Sequence, residues 1–481
     1  MNLLFRLIFL VCALSVSIGQ IHASLRAGAA SSNITPHLGI ALDGTISING
    51  PAVEVHDELH ARCLVLDDGE QRLAIVVCDN TMIDRSILDR AKQLVEERCG
   101  LPANRILISA THSHAAPRVV PGLHSNPLNH DYETFLVRRI ADGVQQAIAN
   151  LSPAQIGWAQ FDKPEFVHNR RWFIEEGSKL GNPFGKSGDQ VKMNARGEGL
   201  VKPAGPVDPE VFILSVQHPD GRPMALLANY GTHYVGGYER GHISADYFGL
   251  FSKRMETLLG ENDPRSDRPP FVAMMSNGTS GDVRSSDLGK SNPVAPWELM
   301  NIVAESIAKD VFSTYPDIKH REDASLDMTE AKHSLGVRKP SAKQIAWAER
   351  VWDNYQNNPD QKFGGSTNPI VYARETLALA DYPDKREIIL QAIRIGDLSI
   401  VSSPCETFAE TGLAIKRRSP FKDTFTIELA NGADGYLPTI EQHGYGGYET
   451  WPARSSLLEV TAERKIRSTL LDMLNQLKAE Q

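Results

Sequence analysis

The chain has 481 residues, of which 41% are hydrophobic and 23% charged, and its formal net charge is −9. Those proportions belong to a globular protein long enough to bury a sizeable core, not to a disordered or fibrous chain. The acidic balance excludes nucleic acid as an expected partner, because no basic excess is available to attract phosphates.

The N-terminus comes first. Met1 to Arg6 carries a single cation, Leu7 to Ile18 is apolar and short, and Ala23 offers a small residue for cleavage before Ser24. This pattern predicts a signal peptide over residues 1–23. The apolar run is shorter than the roughly 20 residues a spanning helix needs. The mature chain is therefore expected to be secreted or periplasmic, without a stable membrane span. It carries Cys63, Cys78, Cys99 and Cys405 and no CxxC pair, which excludes a cysteine-rich zinc module.

The stretch from Ala27 to Gly50 is rich in small and turn-forming residues. Ala61 to Leu66 and Leu73 to Cys78 flank Asp67-Asp68-Gly69 and predict a hairpin. Ser86 to Arg98 has helical periodicity, with Ile87, Ala91, Leu94 and Val95 on one face. A strand is expected at Ile106–Ile108 and a helix from Tyr132 to Asn150. Glu175 to Gly205, rich in Gly, Lys, Asn and Pro, reads as a long surface loop. Strands follow at Val211–Val216, Met224–Ala228 and Phe271–Met275, and helices at Asp246–Leu259 and Trp297–Val311. Ser341 to Tyr355 reads as a polar helix within an insertion. Ile388–Ile395 and Leu398–Val401 form a second hairpin candidate, followed by helices at Thr407–Arg418 and Ser455–Leu477. Interleaved strands and helices predict an α/β (α+β mixed) fold. No internal repeat stands out, so residues 24–481 are expected to form one large domain with a mixed sheet core.

Four apolar runs end in polar residues. Ile106–Ile108 leads to His112 and His114, Met224–Ala228 to His233, Phe271–Met275 to Asp282, and Leu398–Val401 to Glu406. Ligands of open α/β sheets gather at the carboxyl ends of strands. Imidazole and carboxylate suit Zn²⁺, and a catalytic zinc has about three protein ligands and an open position. His112, His233 and Glu406 supply that set. Each also has a plainer reading: a hydrogen-bonding histidine, or a glutamate favoring a helix N-terminus.

Read in order, these segments resemble the catalytic domain of the neutral ceramidases, zinc amidases that cleave the N-acyl bond of ceramide. Thr111-His112-Ser113-His114-Ala115-Ala116-Pro117 is similar to that family's Thr-His-Thr-His-Ser-Gly-Pro. Asn169-Arg170 resembles its Asn-Arg, Gly231-Thr232-His233 stands where its second zinc histidine lies, and Ser244-Ala245-Asp246 resembles its Ser-Gly/Ala-Asp. Pro404-Cys405-Glu406-Thr407-Phe408 resembles its Pro-Gly-Glu-Phe, with Thr407 as an extra residue, and Gly447-Tyr448-Glu449 its Arg-Tyr-Glu. The resemblance runs from about residue 26 to the last residue and includes no counterpart of that family's C-terminal β-sandwich.

The resemblance implies zinc on His112, His233, Glu406 and Tyr448. It implies that His114 polarizes a carbonyl or donates a proton, and that Arg170 binds an oxygen of the substrate or tetrahedral intermediate. Arg171 leaves that register open. The family's Asn-Ala-Gly-Asn-Leu-Ser appears as Gly278-Thr279-Ser280-Gly281-Asp282-Val283-Arg284, so Arg284 replaces the serine implicated in ceramide hydrolysis, with Ser285 one position on. The expected function is an amide hydrolase using metal-activated water on a small-molecule or lipid-like N-acyl substrate more polar than ceramide. A zinc esterase or O-deacetylase, and a zinc-containing binding protein without turnover, are the alternatives. Asp79 and Asp282 are candidates to orient ligand imidazoles, or else to cap turns.

Overall fold

The computed structural model describes residues 24–44, 50–121, 129–178, 181–185, 188–260, 268–287, 294–358 and 360–480. The expected signal peptide lies outside them. The fold is mixed α/β, as the interleaving predicts.

Three larger sheets share one plan. The first contains β1 (Arg26–Asn33), β2 (His60–Asp67), β3 (Arg72–Cys78), β4 (Ile106–Ala110) and the short β5 (Ser152–Pro153), in the order β4-β3-β2-β1-β5. The second contains β6 (Gln155–Asp162), β7 (Glu210–Gln217), β8 (Pro223–Tyr230) and β9 (Val272–Asn277), in the order β9-β8-β7-β6. The third contains β10 (Leu326–Gly336), β11 (Lys385–Ile395), β12 (Leu398–Ser402) and β13 (Asp423–Ile427), in that order. In each, three antiparallel strands are followed by a parallel one: β3 with β4, β8 with β9, β12 with β13.

A parallel pair needs a crossover, usually a helix. The crossovers are α1 (Arg85–Cys99), α3 (Asp246–Met255) and α7 (Ala409–Arg418). A further helix follows each parallel strand: α2 (His130–Ala149), α4 (Glu298–Thr314) and α9 (Ala462–Ala479). The chain thus runs through strand-strand-strand-helix-strand-helix three times, a repeat of topology that the residue pattern does not announce. The third round is interrupted between β10 and β11 by α5 (Ala342–Asn357) and α6 (Pro369–Asp381). A short α8 (Ile440–Tyr445) precedes α9.

Strands of a sheet covered on both faces read as continuous apolar runs, and β3, β8 and β12 do. Leu64, Leu73, Ile75 and Leu107 of the first sheet, Phe212, Leu214, Leu227 and Met274 of the second, and Ile393, Leu398, Ile400 and Phe425 of the third meet in one buried cluster. The opposite faces are covered by α1 and α2, by α3 and α4, and by α9 with Ile415 of α7. The four described cysteines are unpaired, and Cys63, Cys78 and Cys405 are buried. Among the described residues, no helix is long and apolar enough to cross a membrane.

Some elements depart from expectation. β1 crosses a stretch that reads as turn-like because its residues are small. A Cβ on Gly28 would lie 2.1 Å from the Ala147 carbonyl oxygen, so the small residues are what let α2 lie against this strand. The expected surface loop after Glu175 contains strands Val191–Met193 and Leu200–Pro203, which pair with Arg171–Ile174. The last helix starts at Ala462, not Ser455, because Tyr436 N and Arg338 N bond to the carbonyls of Ser455 and Leu457 and hold that stretch extended.

Candidate metal centre

The carboxyl ends of the three parallel pairs supply the site. His112 lies two residues past β4, with φ at 74°. Such a conformation is costly for a side chain with a Cβ and persists where surroundings hold it. Here Thr111 N and His112 N donate to the carbonyls of Cys78 and Asn80, the Thr81 hydroxyl to Ser113 O, and the Ser113 hydroxyl to Ser244 O. The turn is thereby fixed with its imidazole aimed inward. His233 follows β8 by three residues, and Glu406 follows β12.

The donor atoms converge. His112 Nε2 lies 3.1 Å from His233 Nε2, 3.2 Å from His114 Nε2 and 3.3 Å from Glu406 Oε2. His233 Nε2 is 3.8 Å from the same Glu406 oxygen. The outer nitrogens fix the tautomers. His112 Nδ1 faces the Thr81 carbonyl at 2.9 Å, and His233 Nδ1 faces the Ser280 carbonyl at 3.1 Å. A carbonyl only accepts, so both Nδ1 atoms carry hydrogen and both Nε2 lone pairs point at each other. Glu406 Oε2 is buried without a hydrogen-bond partner. Two lone pairs and a bare carboxylate oxygen facing one point are the donor set a divalent cation fits.

Electrostatics agree. Burial, then Arg170 and the neighboring imidazoles, hold His233 well below its ordinary pKa and keep it neutral, as ligation requires. For His112, burial acts to lower the pKa, but the charge of Glu406, 3.3 Å away, outweighs it and raises the value. The geometry gathers three imidazoles, His112, His114 and His233, within metal-sharing distance, so His114 has the same claim to ligation as the other two.

Glu428, one residue past β13, is a member of the site that strand-end reading missed. Its Oε1 accepts from the Ser280 hydroxyl at 2.6 Å and Asn277 Nδ2 at 3.1 Å, and its Oε2 from Ser280 N at 3.1 Å and Thr407 N at 2.8 Å. It ties the His233 partner to the Glu406 loop. Burial pushes its carboxyl up to about 8 against the lowering effect of the Ser280 bonds. Gly281 lets these loops close, since a Cβ there would lie 2.4 Å from the Glu406 carbonyl oxygen. Tyr234, also unanticipated, stacks on His114 at 3.5 Å between ring centroids.

Arg170 and Arg171 divide one carboxylate. Arg170 Nε bonds Glu449 Oε1 at 2.9 Å, and Arg171 Nη1 bonds Glu449 Oε2 at 2.6 Å. Arg171 also bonds Gln442 and Gly446 O and lies over Phe408, away from the histidines. Arg170 lies 5.4 Å from the Tyr436 ring centroid, its Nη2 is buried without a partner, and Glu406 acts on its charge. Of the two arginines, Arg170 is therefore the one facing the site. Tyr448 opens a short 3₁₀ turn and lines a cavity of about 130 Å³ together with His112, His114, Glu406 and Tyr436. Burial and then Glu406 push its phenol up.

Other residues of the expected set have partners elsewhere. Asp282 accepts from Asn169 Nδ2 at 2.7 Å and from Ala409 N at the start of α7 at 2.9 Å. Asp79 pairs with Arg62 at 2.6 Å and accepts from His60 N. Their bonds brace the scaffold, and the imidazoles are oriented by the carbonyls of Thr81 and Ser280. Arg284 bonds Asn194 and Ser286 in an adjoining cavity, and Ser285 is buried beside it.

A family model, neutral/alkaline non-lysosomal ceramidase, N-terminal, matches residues 26–293. The chain belongs to this family. The matched residues include His112, His114, Arg170, His233, Asp282 and Arg284, whereas Glu406, Glu428 and Tyr448 lie beyond them. Among solved structures, the neutral ceramidase from Pseudomonas aeruginosa is similar, with a TM-score of 0.68 at 16% identity over 95% of this chain and 75% of that one. A ceramidase complexed with C2 gives a TM-score of 0.67 at 16% identity, over 95% of this chain and 76% of that one. At that identity the likeness is one of fold.

Proposed function

We propose that the protein is an exported zinc-dependent hydrolase that cleaves an N-acyl (amide) bond. The observation carrying this reading is the convergence of the imidazoles of His112, His114 and His233, with the unpartnered Glu406 oxygen 3.3 Å from His112 Nε2 and 3.8 Å from His233 Nε2. Membership of a ceramidase family supports amide hydrolysis. Export rests on the composition of residues 1–23, and residues 24–481 are taken as one domain.

In this reading His112, His233, Glu406 and Tyr448 hold Zn²⁺. The ion when bound supplies Lewis acidity to a water molecule and to a carbonyl oxygen. The chain supplies the rest. His114, pinned against Tyr234, hydrogen-bonds the scissile carbonyl or gives a proton to the departing amine. Arg170, anchored through Nε on Glu449, directs its unpartnered Nη2 at the oxygen that gains charge, the kind of fixed electrostatic help that dominates acyl transfer. Asp282 is a positioning residue in this scheme, joining the Asn169–Arg170 segment to α7. The cavity wall mixes Met82, Val120 and Leu457 with Asp84, Arg386 and Arg454, which supports an acyl compound more polar than ceramide.

The test is metal content and turnover of the mature protein. About one zinc per chain is expected in the wild type, lost in His112→Ala and Glu406→Gln, together with hydrolysis of N-acyl amides. A wild type that binds no zinc after supplementation refutes the mechanism. Zinc binding with turnover of matched esters alone moves the assignment to an esterase or O-deacetylase, and zinc binding without any turnover to a binding protein.

A further inference from the structure

Arg284 has only neutral partners. Its Nη1 bonds Asn194 Oδ1 at 2.9 Å and its Nη2 bonds Ser286 Oγ at 2.9 Å, while its Nε is buried without any partner. No ion pair joins it to a described residue. The surroundings add to the imbalance, because Arg170 and Arg171 already share the single carboxylate of Glu449. Burial, then Arg196 and Arg170, push the Arg284 guanidinium down to about 10. A half-buried cation in that position is stabilized by an anion brought from outside.

The place suits a substrate. Val283–Arg284 pairs antiparallel with His168–Asn169, with Arg284 opposite His168, and Arg284 and Arg170 both line a cavity of about 590 Å³. Its other walls include His168, Trp172, Ser286 and the acid Asp287. The guanidiniums are set there among Val167, Trp172, Pro203, Pro206 and Val207, while the cavity on the histidine side offers Met82, Val120 and Leu457 to an acyl chain. Arg170 lines the Arg284 cavity, and its guanidinium interacts electrostatically with both Glu406 and Arg284.

We propose that Arg284, with Arg170 beside it, forms a subsite for a carboxylate or similar oxyanion carried on the amine side of the N-acyl substrate. A guanidinium presents Nε–H and Nη–H as a fork matched to such a group. The proposal rests on the hydrolase reading for the identity of the substrate, and on Arg284 alone for its charge.

The test uses two ligands without a scissile carbonyl, N-dodecylglycine and N-dodecylethanolamine, titrated calorimetrically into the mature, metal-loaded protein. The carboxylate ligand is expected to bind about tenfold tighter or more, the scale of a charge-assisted pair. Arg284→Gln should bring that ratio close to one, and Arg284→Lys should keep part of it, with thermal unfolding showing that both variants fold. Equal affinities in the wild type, or a ratio unchanged in Arg284→Gln, overturn the subsite. So does a wild type in which inorganic phosphate binds through Arg284 but the carboxylate ligand has no advantage, which would make the site one for a free anion. Hydrolysis of N-lauroylglycine and N-lauroylethanolamine is measured separately. A preserved binding preference without hydrolysis refutes the amidase reading alone, and hydrolysis without a preference refutes the subsite alone.

Discussion

At the residue scale, the imidazoles and the carboxylates of the centre behave differently. His112 and His233 are oriented by backbone carbonyls, so their aim does not depend on any side chain's protonation. Glu428 is different: it accepts four hydrogen bonds and yet its carboxyl is raised to about 8. A carboxyl held above its unfolded value binds its proton more tightly in the folded state. Its contribution to stability is complete below the unfolded value and is lost as pH rises through the folded one. The metal-free protein should therefore lose stability between about pH 4.5 and pH 8, and Glu428→Gln should flatten that slope. Denaturant midpoints measured across the range check this, and an unchanged slope in the variant counts against it. The strand-end signal that picks out His112, His233 and Glu406 in the sequence also picks out Asp79 and Asp282, whose bonds serve the scaffold. Glu428 carries the same signal, directly after Phe425-Thr426-Ile427, in a run too short to stand out. Residue type at a strand end points to the rim of the site, and only the hydrogen-bond partners separate ligand from brace.

At the scale of elements, legibility follows burial. β2, β3, β7, β8, β11 and β12 are covered on both faces and read as apolar runs. β6 and β10 are sheet edges in which most positions are only partly buried, as in Gln155–Asp162 and Leu326–Gly336, and neither reads as a strand. β1 was hidden for another reason, its small residues serving the approach of α2. Helices were clearer, since α1 shows its buried Ile87, Leu88, Ala91 and Val95 at helical spacing. The same helix buries Lys92, 2% exposed, with a Nζ that has no hydrogen-bond partner. Burial, opposed by Glu330 and Asp89, lowers its pKa to about 8. For a lysine whose folded value is depressed, the sign is the reverse of Glu428: charging it costs stability as pH falls through the folded value. Lys92→Met keeps the length of the side chain and removes the charge, and should raise stability at pH 7 by about 1–3 kcal/mol. Chemical denaturation reads this directly, and a destabilized variant would mean that Glu330 compensates the charge in full.

At the scale of the whole molecule, the three rounds of topology meet in one buried cluster and send their loops to one point. A cation there would join segments that follow β4, β8 and β12, one from each sheet. Removing it from the mature protein should lower the unfolding temperature by several degrees, in a single transition that moves as a whole. For a ligand present at about 100 times its Kd, the linkage is about 2.7 kcal/mol. Scanning calorimetry with and without chelator tests this. Two separate transitions would show that the sheets unfold independently and that residues 24–481 are not one cooperative unit.

The threefold course of the chain also says what a shortened version would be. The family match ends at residue 293, just before α4, the helix that closes the second of the three rounds. A polypeptide stopped there would keep His112, His114 and His233 but would lack Glu406, the Glu428 clasp and Tyr448, together with the sheet that completes the central cluster. It would have the nitrogen half of a coordination sphere and no oxygen half. The stretch from residue 294 onward, which the match does not reach, is the part that would balance the ion's charge.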